Sequence, residues 1–265
     1  MPDKQPTVVL SLQAFDGVIF DLDGVITSTA AVHFAAWKAM FDDFLASAPG
    51  RDGQPFQPFV EDDYLRYVDG KPRYEGVKSF LGSRGIEMRD GMPDDPPGTN
   101  TVCALGNRKN EMFAENLQRG GADVFESSVR LVRALKSLDV PVAVVSSSKN
   151  CAAVLRCAGL SDLFDTSVDG VEAARLGLSG KPDPDTFLEA ARRLSLAPPR
   201  TVVVEDAIVG VQAGRSGGFG LVIGVDRTGN PQALLKNGAN VIVEDLAEIT
   251  IAPKSVDNAL KENAP

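Results

Sequence analysis

Gly17-Val18-Ile19-Phe20-Asp21-Leu22-Asp23-Gly24 reads as a buried strand that ends in two carboxylates and a turn. A short apolar run of this kind, bounded by turn residues, suits a strand covered on both faces. In an extended chain, residues two apart point the same way, so Asp21 and Asp23 project together from the strand end. Gly24 permits the tight turn that exposes them. Two carboxylates so placed can divide labour: one attacks phosphorus, and the other shuttles the proton of the incoming or leaving hydroxyl. In isolation the pair reads equally well as two solvated acids capping a strand.

Further Val- and Ile-rich runs recur at 141–146, 201–206, 221–225 and 241–243, separated by helical spacing at 127–138, 150–158, 185–194 and 209–216. This β-α alternation predicts an α/β fold, a Rossmann-like doubly wound parallel sheet. The rhythm breaks between about 30 and 119, where helices are predicted at 31–45, 61–68, 73–82 and 108–117. Residues 30–119 are therefore expected to form a helical cap inserted into a core made of 1–29 and 120–265. An insert at this point lies over the carboxyl ends of the strands, where open α/β sheets bind ligands. The Gly-, Pro- and Asp-rich stretch 89–100 is expected to be an exposed loop, and 1–12 and 252–265 frayed ends.

Composition narrows the partners. The 265 residues are 43% hydrophobic and 24% charged, with no apolar run near the ~18 residues of a membrane span. The N-terminal stretch lacks the pattern of a signal peptide, so a cytoplasmic location is expected. Cys103, Cys151 and Cys157 show no metal-ligand spacing and read as reduced thiols filling apolar space. A net charge of -9 argues against nucleic acid or an anionic membrane as partner. An anionic small molecule would need locally placed cations and a metal, and a monomer suffices for such a task.

Three further features bear on Asp21 and Asp23. Ser146-Ser147-Ser148-Lys149-Asn150 follows a predicted strand and opens a predicted helix, where hydroxyls and free N–H groups suit a phosphoryl group. Ordinary helix capping explains such serines equally well. Lys181, in Gly180-Lys181-Pro182-Asp183-Pro184, can neutralise a transferring phosphoryl group. Glu205-Asp206 ends the run 201–206 and, with Asp21, offers hard oxygen ligands suited to Mg²⁺. Four such elements in order, each at a strand end, outweigh any one of them.

Asp21-Leu22-Asp23-Gly24-Val25, the 146–150 segment, the 180–184 turn and Val204-Glu205-Asp206-Ala207-Ile208-Val209-Gly210 together resemble the haloacid dehalogenase superfamily, over about residues 15–245. Within it, the run 21–27 followed by Thr29, His33, Trp37 and Lys38 is similar to the β-phosphoglucomutases. That resemblance implies interconversion of β-D-glucose 1-phosphate and D-glucose 6-phosphate. Asp21 would carry the phosphoryl group and Asp23 would serve as acid and base. It implies a Mg²⁺ held by Asp21, the Asp23 carbonyl, Glu205 and Asp206, and phosphoryl oxygens held by Ser146, Ser147 and Lys181. It further assigns Thr29, His33, Trp37, Gly70, Arg73, Lys109, Ser148, Lys149 and Asn150 to the sugar phosphate, with Arg73 on the phosphate remote from Asp21. Ser28, Lys71-Pro72 and the enlarged loop 89–100 depart from the pattern. The alternatives are a sugar-phosphate phosphatase using the same aspartate and a catalytically silent sugar-phosphate-binding protein.

Overall fold

The apolar runs become strands of a parallel sheet in the computed structural model, which describes residues 8–48, 50 and 54–254. In chain order the strands are β1 (Val8–Ser11), β2 (Gly17–Asp21), β3 (Val142–Val145), β4 (Thr166–Val168), β5 (Thr201–Glu205), β6 (Leu221–Val225), β7 (Val241–Val243) and β8 (Ile249–Ala252). Six pair in the order β4-β3-β2-β5-β6-β7, each pair parallel. β2 lies inside this sheet, with Phe20 opposite Val144 on one side and Val204 on the other.

Alternation along the strands builds a core on each face. Phe20, Val142 and Val144 pack with Val132 and Leu135 of the helix Glu126–Ser137. Ile19, Ala143, Val145 and Val203 pack on the other face with Phe187 and Val211, from the helices Asp185–Arg193 and Ile208–Ser216. Because the strand order reverses direction at β2, the crevice above its carboxyl end is where an open α/β sheet receives ligands.

The chain between β2 and β3 forms the helices Ala30–Ser47, Arg73–Ser83 and Val102–Gly120, which share an apolar cluster of their own. Phe41, Phe59 and Phe80 lie at its centre, fully buried, with Phe41 and Phe80 ring centroids 4.2 Å apart. Each such ring contributes about 1.5–3 kcal/mol by leaving water. Residues of this helical unit, among them His33, Trp37, Arg73 and Lys109, share one cavity with Asp21 and Asp206 at the sheet's carboxyl edge. The segment 61–68 is a short α-helix, Glu61–Asp63, running into a π-helix, Tyr64–Val68.

Several expectations need correction. Residues 8–12 and Ala252 are not frayed: β1 and β8 form a two-stranded parallel sheet, with Leu10 opposite Ile251 and Val8 and Leu10 buried. Their signal was alternation in two runs of four residues, whose partners lie at opposite ends of the sequence. Residues 1–7 and 255–265 lie outside the described residues. The helix expected at 108–117 begins at Val102, because the Thr101 side chain accepts from Ala104 N at 3.1 Å and Val102 and Leu105 join the cap core. β4 and the helices Gly170–Leu176 and Pro231–Asn237 were not anticipated; the side chains of Asp169 and Asn230 cap those two helices. The cysteines are unpaired thiols, but Cys157 is exposed rather than a filler of apolar space. Among the described residues no helix is long and apolar enough to cross a membrane.

Candidate active site

Asp21 is the last residue of β2, and the chain turns immediately beyond it. Thr27 N donates to Leu22 O at 2.9 Å and Gly24 N to Thr27 O at 2.8 Å, which pins the loop. Gly24 has φ 85°, and a Cβ there would overlap the Asp206 carboxylate. The turn thus needs glycine for its backbone and for the approach of an acid from β5.

Asp23 is held from three sides. The Thr29 hydroxyl donates to it, the Ser146 hydroxyl donates at 3.2 Å, and His33 Nε2 faces it at 3.4 Å. His33 stacks on Phe113 with centroids 4.1 Å apart and meets Lys109 Nζ through Nδ1 at 2.7 Å. Lys109 lies over the rings of Trp37 and Phe113, at 5.0 and 4.8 Å. Burial works against a charge on Asp23, but His33, Thr29 and Lys109 outweigh it and hold the carboxyl down at about 2. Burial also pushes the Lys109 ammonium down to about 7 and the His33 imidazole below its ordinary value.

Asp21, Glu205 and Asp206 converge so that one oxygen of each lies within 4.8 Å of the others. Lys181, 3% exposed, donates to both Asp21 and Glu205. Burial disfavours its charge, yet those two carboxylates raise its pKa above the lysine range. Glu205 also accepts from Ala207 N at 2.8 Å, and Gly210 leaves space that a Cβ would take from the Glu205 carboxylate. Burial and the neighbouring acids push Asp21 and Asp206 well above the ordinary carboxylate range. A set of hard oxygens whose mutual repulsion a cation would relieve fits Mg²⁺.

The cap closes over these groups. Ser147 Oγ donates to Gly70 O at 2.9 Å, and Asn150 Nδ2 to Asn110 Oδ1 at 2.7 Å. Pro72 of the cap lies against Gly180 of the core, where a Cβ would collide with its ring. Between them is a cavity of about 80 Å³, lined by Asp21, Asp23, His33, Trp37, Gly70, Arg73, Lys109, Ser147, Ser148, Lys149, Asn150, Lys181, Glu205 and Asp206. A space of that size holds a handful of waters.

Thr29 and Ser146 are not among the lining residues; both hydroxyls are turned on Asp23. Trp37 lines the cavity while also stacking on Phe41 at 5.3 Å, so it belongs to the cap core as well. Tyr64 and Asp69 line the cavity and were not anticipated. Burial raises Asp69 to about 6 against a hydrogen bond from Tyr64. The one signal for Asp69 was an acid next to Gly70; Tyr64 and Asp69 lie at the start of the π-helical turn and just past its end, which spacing does not reveal.

Comparison with known proteins places these groups in context. Residues 15–218 match the haloacid dehalogenase-like hydrolase family. The chain is 50% identical over 235 residues to a β-phosphoglucomutase of Mycobacterium bovis, covering 87% of this chain and 90% of that protein. It is 33% identical over 234 residues to a β-phosphoglucomutase of Bacillus subtilis, covering 88% and 91%. A crystal structure of a β-phosphoglucomutase from Clostridium difficile superposes with a TM-score of 0.71 at 24% identity, covering 88% of this chain and 92% of that one, a likeness of fold.

Proposed function

The chain belongs to the haloacid dehalogenase-like hydrolase family as a phosphoryl-transfer enzyme, and from that premise we propose that it interconverts β-D-glucose 1-phosphate and D-glucose 6-phosphate. The observation that carries this reading is one cavity lined by a cation from the core and a cation from the cap. Lys181 stands beside Asp21, and Arg73, whose Nε is buried without a partner, lines the same cavity from the cap. A phosphatase that releases phosphate to water needs only the first of these cations.

Asp21, phosphorylated, would offer its phosphoryl group to the sugar 6-hydroxyl. Asp23, ionised at rest, takes the hydroxyl proton as the new O–P bond forms and the Asp21 O–P bond breaks. The product is β-glucose 1,6-bisphosphate. Once it has left and rebound with its two phosphates exchanged, Asp21 attacks the phosphorus at position 1, and the protonated Asp23 returns its proton to the departing oxygen. Glucose 6-phosphate is released, and Asp21 is phosphorylated again. Ser147 and Lys181 would hold the phosphoryl oxygens, and Ser148, Lys149 and Asn150 the sugar phosphate. Thr29, Ser146 and the Lys109–His33 pair keep Asp23 ionised and aimed. Asp21, the Asp23 carbonyl, Glu205 and Asp206 would hold Mg²⁺, which supplies charge neutralisation at the phosphoryl oxygens.

The test supplies β-glucose 1-phosphate, Mg²⁺ and a trace of the bisphosphate, and follows glucose 6-phosphate and free phosphate in parallel. Glucose 6-phosphate without matching phosphate is the expected result. Stoichiometric phosphate release would assign the same aspartate to a phosphatase, and silence in both channels would point to a binding protein.

A further inference from the structure

Arg73 opens the helix Arg73–Ser83, and its guanidinium is held on one side only. Nη2 donates to Asn107 Oδ1 at 3.3 Å and to Tyr74 Oη at 3.4 Å, while Nε is buried with no partner. Tyr74 Oη donates to the same Asn107 oxygen at 2.9 Å. The Tyr74 ring has the Arg73 guanidinium 5.1 Å away and, from the core, Lys149 Nζ 5.6 Å away.

Asn107 is fixed from behind. Its Nδ2 donates to Pro93 O at 3.0 Å and Asp95 O at 2.9 Å, both in the loop 89–100. Backbone carbonyls only accept, so the amide nitrogen faces the loop and the oxygen faces Arg73. The loop is anchored in turn: Asp95 accepts from Met92 N at 3.1 Å and from the Thr101 hydroxyl at 2.7 Å. Gly106 keeps the arrangement close, since a Cβ there would stand 2.7 Å from the Tyr74 ring and 3.3 Å from Arg73 Cγ.

We propose that Asn107, braced by the loop 89–100, is a positioning residue for Arg73, and that this loop sets how tightly the enzyme takes the phosphate remote from Asp21. The inference rests on the assignment of Arg73 to that phosphate. With Nη2 held by Asn107 and Tyr74, the guanidinium is fixed in one orientation where Arg73 lines the cavity, and its unpartnered Nε is a donor left for an anion. An arginine ordered before binding loses less rotamer freedom on binding, a gain of about three- to tenfold in affinity. The loop acts on this phosphate through Asn107 and, more weakly, through the Tyr74 hydroxyl, which lies 3.3 Å from Pro93 O.

Calorimetric titration tests this with the full-length Asp21→Asn protein, which cannot be phosphorylated at that position, in the presence of Mg²⁺. The ligands are glucose 1,6-bisphosphate, which reaches both ends of the cavity, and inorganic phosphate, which needs one. Adding Asn107→Leu should weaken the bisphosphate about fivefold more than inorganic phosphate. Tyr74→Phe, which removes one hydroxyl, should move the ratio about twofold in the same direction, and Arg73→Ala further than either. Equal weakening of both ligands, or no preference for the bisphosphate in the parent, overturns the proposal. Should Asn107→Leu fail to fold, the Tyr74→Phe ratio decides, and an unchanged ratio overturns it. Binding is read without turnover, so a wild-type protein that makes no glucose 6-phosphate refutes the mutase reading and leaves this measurement standing.

Discussion

Lys109 shows how one side chain links the site to solution conditions. Burial first, then the charge of Arg73, lowers it to about 7, against an upward pull from Asp23. The unfolded chain binds that proton up to its ordinary value of 10.5. Between the two values the unfolded state holds more protons, so the stability tied to this site rises with pH from about 7 to about 10.5. It is lost as pH falls through 7. Lys109→Met should flatten that slope in denaturant melts run across the window, and an unchanged slope would show that the ammonium stays charged in the fold. The same neighbourhood marks a limit of reading from sequence. Asp21, Lys181, Glu205 and Asp206 each sat at a strand end or turn and could be singled out. Asp69 and Tyr64 could not, because the widened turn Tyr64–Val68 is what brings them to the cavity.

Among the elements, the cap segment at Pro72 lies directly against the core turn at Gly180. A methyl group at 180 would press on the proline ring, and overpacking of this kind costs about 1–3 kcal/mol. Gly180→Ala should therefore disfavour the closed cap by at least about fivefold and raise the share of turnover lost as free phosphate. A product-to-phosphate ratio equal to wild type would show that the join yields without effect. Which elements were legible follows from their surroundings. β2, β3 and β5 are covered on both faces, so nearly every residue is apolar and the run stands out. β4 is an edge strand of three residues, two of them polar and only partly buried, which gives pattern reasoning nothing to hold. The start of the helix Val102–Gly120 was hidden because the Gly- and Pro-rich stretch ahead of it masked the Thr101 cap.

Across the whole molecule, a net charge of -9 surrounds a cavity that gathers Arg73, Lys109, Lys149 and Lys181. The acids beneath those cations repel one another, and a bound cation should offset that repulsion. Mg²⁺ should raise the unfolding free energy by an amount that grows with concentration, about 2.7 kcal/mol at a hundred times its dissociation constant. A chelator should remove the gain, and Asp206→Asn should abolish most of it. The same increment in that variant would place the ion elsewhere. The insertion of the cap between β2 and β3 bears on synthesis as well. A chain made from its N-terminal end completes the strand bearing Asp21 long before residues 142–145 and 201–205, its two sheet neighbours, have been added. The helices within 30–120 share a cluster of their own, while Ala36, Phe113 and Leu117 join the core that includes Phe20 and Val144 and wait for it. β1 waits longer still, for residues 249–252. The reactive pocket is thus complete only once the end of β5 has been added, and a chain halted on the ribosome before β5 lacks Glu205 and Asp206 and with them two of the three converging acids.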